Sequence, residues 1–208
     1  MSSLVQQFET IPLAYFYHKL NSEFQTFQIK NIARNSTSFF HALSTIILGL
    51  NYYYTNKYSY LIAINTGGFF IFDALYIIKN GKFDTLNGVL LYHHTTLYPY
   101  LFLSSKYYYW PQSIFFGELS NIPSYFVYYS LKNDEKKNLW KGYKSEKTKR
   151  LLRIQMYFYG FFRIFVLGYY YFLELKNPRL PKYVLVSGLM YPFGVIWSLV
   201  MIKRNICI

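Results

Sequence analysis

Cysteine is almost missing from this chain: Cys207 stands alone among 208 residues, which excludes an intramolecular disulfide and a cysteine-ligated zinc site. Acids are scarce too, nine Asp and Glu against 22 Lys and Arg, for a net charge of +13. The opening stretch from Met1 to Thr10 lacks the basic start and long apolar core of a cleavable signal, so the first true span is expected to direct insertion and to stay in the mature protein. No stretch is long and hydrophilic enough for a separate soluble domain. Nor is there an inverted repeat with interrupted helices in matching halves, which argues against an ion or solute pathway.

What the chain has instead is apolar and aromatic material, with 53% hydrophobic residues, 25 Tyr and 20 Phe. Charges are swept into short patches, and between them lie segments of about twenty residues, the length that crosses the ~30 Å hydrocarbon layer. The expected fold class is all-α, a multi-pass membrane protein. Six transmembrane helices are placed at about Ser38 to Tyr54, Tyr58 to Ile78, Thr85 to Leu103, Pro111 to Leu131, Leu151 to Leu173 and Tyr183 to Ile202. Residues 1–33 read as an N-terminal interfacial segment, because the apolar patch Ile11 to Tyr17 is too short to span. Residues 34–204 form the membrane domain and 205–208 a short tail. His18 reads as a surface histidine. Pro99 should bend the third helix, and Gly67-Gly68 in the second should either admit a close neighbour or form a kink.

Positive charge sets the expected orientation. Sixteen of the 22 basic residues fall on the side of the N-terminus, the Lys79 to Lys82 loop, the lysine-rich Lys132 to Arg150 connector and the C-terminus, against five on the other side. Both termini are therefore expected to be cytosolic. The same bias accounts for the surplus of positive charge, so no nucleic-acid partner is expected. Asn35-Ser36-Thr37 fits the glycosylation pattern but abuts the membrane on the cytosolic side, and is discounted.

Polar groups at membrane depth are costly unless they face protein or a watery cavity. The sequence places seven there: His41, Asp73, His93, His94, Glu118, Asn121 and Arg163. They belong to five different spans, and the cheapest arrangement points all of them into one shared interior. His93 and His94 sit about 100° apart around a helix, so one faces that interior while the other touches a neighbouring helix. A neutral imidazole beside Asp73 or Glu118 is equipped to act as a general base or as an acyl-accepting nucleophile. Arg163, which cannot shed its charge, needs a carboxylate or carbonyl partner. With Asn121 it is suited to hold an oxyanion or a headgroup. The alternative is a structural network that locks the bundle. Adjacent histidines lack the i, i+4 spacing that puts two metal ligands on one helix face, so no metal is expected.

A histidine in the first span, an Asp in the second, His93-His94 in the third, Glu118-Leu119-Ser120-Asn121 in the fourth and Phe161-Phe162-Arg163 in the fifth together resemble the TLC domain. That family comprises translocation-associated membrane proteins, longevity-assurance ceramide synthases and the ceroid-lipofuscinosis membrane protein. The resemblance runs from about Arg34 to Arg204. It implies a six-helix, barrel-like bundle around a cavity for an acyl chain, in the endoplasmic reticulum or a related endomembrane. It further implies that His93 and His94, with Asp73, occupy the catalytic positions, while His41, Glu118, Asn121 and Arg163 bind substrate. Where the synthases carry a further His-Asp and a second acid, this chain has Glu118-Leu119-Ser120-Asn121. The departure favours the TLC proteins that act in membrane lipid homeostasis by binding an acyl lipid. Acyl transfer from acyl-CoA, as co-substrate, to a lipid amine or hydroxyl is the alternative. No resident cofactor is expected, the partners are membrane lipids or an acyl chain, and no protein partner is indicated.

Overall fold

A computed structural model of the protein describes residues 3–28, 30–80, 85–103, 109–136 and 144–177, together with positions 191, 192, 194–196, 198 and 199. Among the described residues every regular element is helical. The order is α1 (Ser3–Phe27), α2 (Lys30–Thr55), α3 (Ser59–Asn80), α4 (Thr85–Leu97), a 3-10 turn (Pro99–Phe102), α5 (Trp110–Lys136), α6 (Glu146–Tyr159), a π-helical segment (Gly160–Val166) and α7 (Leu167–Leu175).

Two of these helices are long and apolar enough to cross a membrane, Ser59–Asn80 and the continuous Glu146–Leu175, with mean hydropathies of 1.8 and 1.2. The first four expected spans overlap α2, α3, α4 plus the turn, and α5, and the fifth overlaps Glu146–Leu175; of these, α3 and Glu146–Leu175 are the two that are long and apolar enough to cross a membrane. Most of the sixth lies outside the described residues. So do Cys207 and the loop charges Lys82, Lys106, Lys137, Lys141, Arg179, Lys182, Lys203 and Arg204. The lysine-rich connector is shorter than expected, since α5 runs on to Lys136 and α6 already begins at Glu146. A cap shapes that junction. Asp134 accepts hydrogen bonds from the Ser145 amide, the Ser145 hydroxyl and the Thr148 hydroxyl, and Ser145 in turn accepts from the Thr148 amide at the start of α6.

The largest difference from the sequence reading lies at the N-terminus. The short interfacial patch is part of a 25-residue helix that packs along α3. Thr10, Ala14, Tyr17 and Asn21 are buried on one stripe at i, i+4, i+7 and i+11, whereas Phe8, Ile11, Tyr15 and Phe16 face outward. Gly67-Gly68 makes the packing feasible. A Cβ on Gly68 would lie 2.6 Å from the Leu13 Cβ and 3.1 Å from two α1 backbone atoms, so the pair is the close-approach site rather than a kink.

Helix α2 lies antiparallel to α3, which brings Lys30 beside Asn80, Arg34 beside Asp73 and Thr45 beside Asn65. Helix α5 runs antiparallel to α2 on one side and to α6 on the other. Pro99 ends α4, as its missing amide donor requires, and starts the 3-10 turn. Trp110, Tyr100, Leu101, Ile62 and Tyr17 form the apolar core beneath these crossings. Far from the polar interior, the buried carboxylate of Glu174 on α7 accepts from the Tyr100 hydroxyl at 2.6 Å and from the Tyr109 amide, fastening that helix to the turn.

Candidate functional site

Asp73 sits one helical turn beyond the Phe69-Phe70 pair on α3, where it meets α2 and α4 together. Arg34, from the first turns of α2, donates Nε–H and Nη2–H to its two oxygens at 2.8 and 2.9 Å, and the guanidinium rests over the Tyr76 ring at 5.2 Å. The same carboxylate lies 3.6 Å from Nδ1 of His94 on α4. That separation is longer than a hydrogen bond and close enough for strong electrostatic coupling. His94 is buried and stacks on Phe70 at 4.6 Å, while His93 meets Phe70 edge-on at 5.7 Å. The two imidazoles therefore diverge, with ring centroids 5.5 Å apart.

His41, fully buried on α2, stacks on Phe69 at 4.1 Å. Its Nε2 is 3.1 Å from the Thr45 hydroxyl, and its Nδ1 is 3.9 Å from Oε1 of Glu118 on α5. Behind Thr45, Asn65 links Ser44 and Thr45 to the buried phenol of Tyr17 from α1.

Arg163 is brought inward by the π-helical segment. It donates Nε–H to Ser120 Oγ at 2.9 Å and Nη2–H to Asn121 Oδ1 at 2.8 Å, and lies over the Tyr159 ring at 5.0 Å. Its partner is thus a carboxamide carbonyl. Asn121 also donates to Oε2 of Glu118 at 3.2 Å and accepts from the Tyr159 hydroxyl, so it bridges the acid and the guanidinium.

All seven polar residues singled out in the sequence converge on one region between α2, α3, α4, α5 and the π-helical segment. Three residues that complete the network were not singled out: Arg34, Tyr17 and Asn65. Three imidazole nitrogens are buried without a hydrogen-bond partner among the described residues, Nδ1 of His41, His93 and His94. Buried polar atoms in folded proteins are nearly always paired, which makes this region the candidate site; Thr66 Oγ1, Tyr76 Oη, Gln112 Oε1 and Glu174 Oε2 are also unpartnered among the described residues.

The interior differs in shape from an open hollow. On the α3 side Phe69 and Phe70 fill the space against His41 and His94. On the other side Glu118, Asn121, Arg163 and His93 are half-buried. Two recesses on the outer surface, about 260 Å³ beside Ile11 and Tyr98 and about 290 Å³ beside Leu48 and Tyr60, touch none of the seven. Among the described residues no group of three His, Cys, Asp or Glu side chains could hold a metal ion. Comparison of the chain with protein-family models, curated proteins and solved structures finds no match.

Proposed function

We propose that this chain is an integral membrane protein of the TLC-domain type that binds an acyl lipid at its buried polar region and acts in membrane lipid homeostasis. It forms a six-helix bundle in the endoplasmic reticulum or a related endomembrane, with both termini cytosolic. The observation that carries the reading is the set of three buried imidazole nitrogens without a hydrogen-bond partner among the described residues, that of His41 3.9 Å from Glu118 and that of His94 3.6 Å from Asp73.

A second feature supports the membrane setting. The helices turn large apolar side chains outward, Phe8, Ile47, Leu75, Phe161 and Phe165 each more than half exposed, while Thr10, Asn21, Thr37, His41, Asp73 and Ser120 are buried. Such an arrangement would be a liability in water and suits a lipid solvent. The same pattern recurs on α1, which packs along α3 beside the six.

Acyl transfer is the second reading, favoured by one arrangement. His94 faces a carboxylate that Arg34 holds by both oxygens, the way an orienting acid steadies a general base. One experiment separates the two. The protein is purified in detergent and its retained lipids are identified by native mass spectrometry, then acyl-CoA is supplied with candidate amine and hydroxyl acceptors. A retained lipid without turnover supports the binding reading, and turnover lost in His94→Ala with the fold intact supports the enzyme. Neither retention nor turnover overturns both.

A further inference from the structure

The hydrogen bonds around His41 leave one assignment in which the Thr45 hydroxyl proton also has an acceptor, and donor accounting shows which. The Ser44 hydroxyl donates to the His41 carbonyl at 2.9 Å, so toward Asn65 it can only accept. The Asn65 amide nitrogen therefore faces Ser44 and Thr45, at 3.1 and 2.9 Å, and its carbonyl oxygen accepts from the Tyr17 hydroxyl at 2.6 Å. Thr45 accepts from Asn65, and among the described residues Nε2 of His41, at 3.1 Å, is the acceptor within reach of its own proton. A neutral imidazole that accepts at Nε2 carries its hydrogen on Nδ1.

That Nδ1 is buried and has no partner, and it is aimed at Oε1 of Glu118, 3.9 Å away. The other carboxylate oxygen of Glu118 is already engaged by Asn121. The gap is too long for a direct hydrogen bond, and one oxygen atom about 2.8 Å from each side would span it. The group that fits must accept from Nδ1–H and donate to a carboxylate oxygen through the same atom. A hydroxyl does both, whether of water or of an alcohol, and the lipid-binding reading selects the alcohol. An ether accepts but cannot donate, and an ammonium donates but cannot accept. The His41 side chain is 1% exposed and that of Glu118 15%, so the Glu118 end of the pair is the less covered one.

We infer that His41 and Glu118 form a subsite for the hydroxyl group of a lipid, with the Tyr17–Asn65–Thr45 chain as positioning residues that hold the His41 proton on Nδ1. The inference rests on the lipid-binding reading and names its ligand as a hydroxyl-bearing one.

The test has two arms. In the first, protein labelled with 15N-histidine in detergent micelles is read by NMR. His41 is expected to show a pyrrole-type Nδ1 and a pyridine-type Nε2, to lose that preference in Thr45→Val and to keep it in Thr45→Ser. In the second, 1-hexadecanol and its methyl ether compete for the wild type and for His41→Phe, with retention read by native mass spectrometry. The alcohol is expected to bind at least about tenfold more tightly than the ether, with the preference abolished in His41→Phe. Should that variant fail to fold, Thr45→Val carries the comparison and is expected to reduce the preference. A proton on Nε2 in the wild type, or equal retention of alcohol and ether as when only water fills the gap, overturns the subsite and leaves lipid binding standing. Failure to retain either compound overturns the lipid-binding reading as well.

Discussion

Arg34 grips Asp73 with two hydrogen bonds of 2.8 and 2.9 Å, fastening the start of α2 to the middle of α3. The acid's side chain is 5% exposed and the base's 25%. Removing one partner of such a pair strands the other's charge. Arg34→Met is expected to cost about 2 to 3 kcal/mol of unfolding free energy, less than for a fully sealed pair because part of the guanidinium keeps its water. The double variant Arg34→Met with Asp73→Leu should recover at least half of that loss. SDS titration in mixed micelles measures both, and strictly additive losses would show that the two residues are not coupled.

Helix spacing gives a second expectation with an internal control. A Cβ at Gly68 would press on Leu13 and on the α1 backbone, whereas one at Gly117 meets nothing within 4 Å. Gly68→Ala should therefore destabilise by about 1 to 3 kcal/mol through overpacking. Gly117→Ala should stabilise by about 0.5 to 1 kcal/mol through helix propensity. Melting curves of the two variants in one detergent decide it, and shifts of the same sign would contradict the α1–α3 contact.

Arg163 uses the fork of its guanidinium, one N–H on Ser120 and another on Asn121. A lysine ammonium lacks that geometry. Arg163→Lys is expected to lose about 2 kcal/mol, a fall of about 4 to 8 °C in melting temperature for a chain of this size. An unchanged midpoint would mean that the fork is not what holds α5 to the π-helical segment.

His94→Phe preserves a flat ring for the stack on Phe70 while deleting both nitrogens. The variant should stay within about 1.5 kcal/mol of wild-type stability, as a shape-conserving exchange does, and retain lipid at least about tenfold less well, the loss expected for one or two missing hydrogen bonds. His18→Phe, at an exposed position of α1, is the matched control and should behave as wild type. Equal retention by the two variants would place the ligand away from His94.

The polar convergence was legible in the sequence because it follows from energetics. Ionisable groups on separate apolar helices have few places to go, and His41, Asp73, His94, Glu118 and Arg163 were found together. Arg34 escaped because hydropathy treats a charge four residues before the expected start of a span as a loop residue, and takes no account of how far a guanidinium reaches inward. Tyr17 escaped because it is one of 25 tyrosines, and nothing local marks the one whose hydroxyl is buried. Helix α1 was underrated for a related reason. Three of the four residues on its buried stripe carry polar groups and its outer face is apolar and aromatic, the reverse of the pattern by which a helix is recognised in water. The shape of the interior depended on where Phe69 and Phe70 come to rest, and side-chain packing of that kind leaves no trace in residue spacing.

The π-helical segment between Gly160 and Val166 has a wider bearing. Hydrogen bonding to the fifth residue, as from the Leu167 amide to the Phe162 carbonyl, lets the rod absorb a residue that an α-helix would spend on rotation. The stretch before it and its own first turn keep phase with α5 through Tyr159 and Arg163, and the stretch after it keeps phase with Tyr100 through Glu174. Excision of one amino acid from this segment would swing Glu174 about 100° around the axis and release its anchor, so the reading frame of this rod is set here for two separate sets of neighbours.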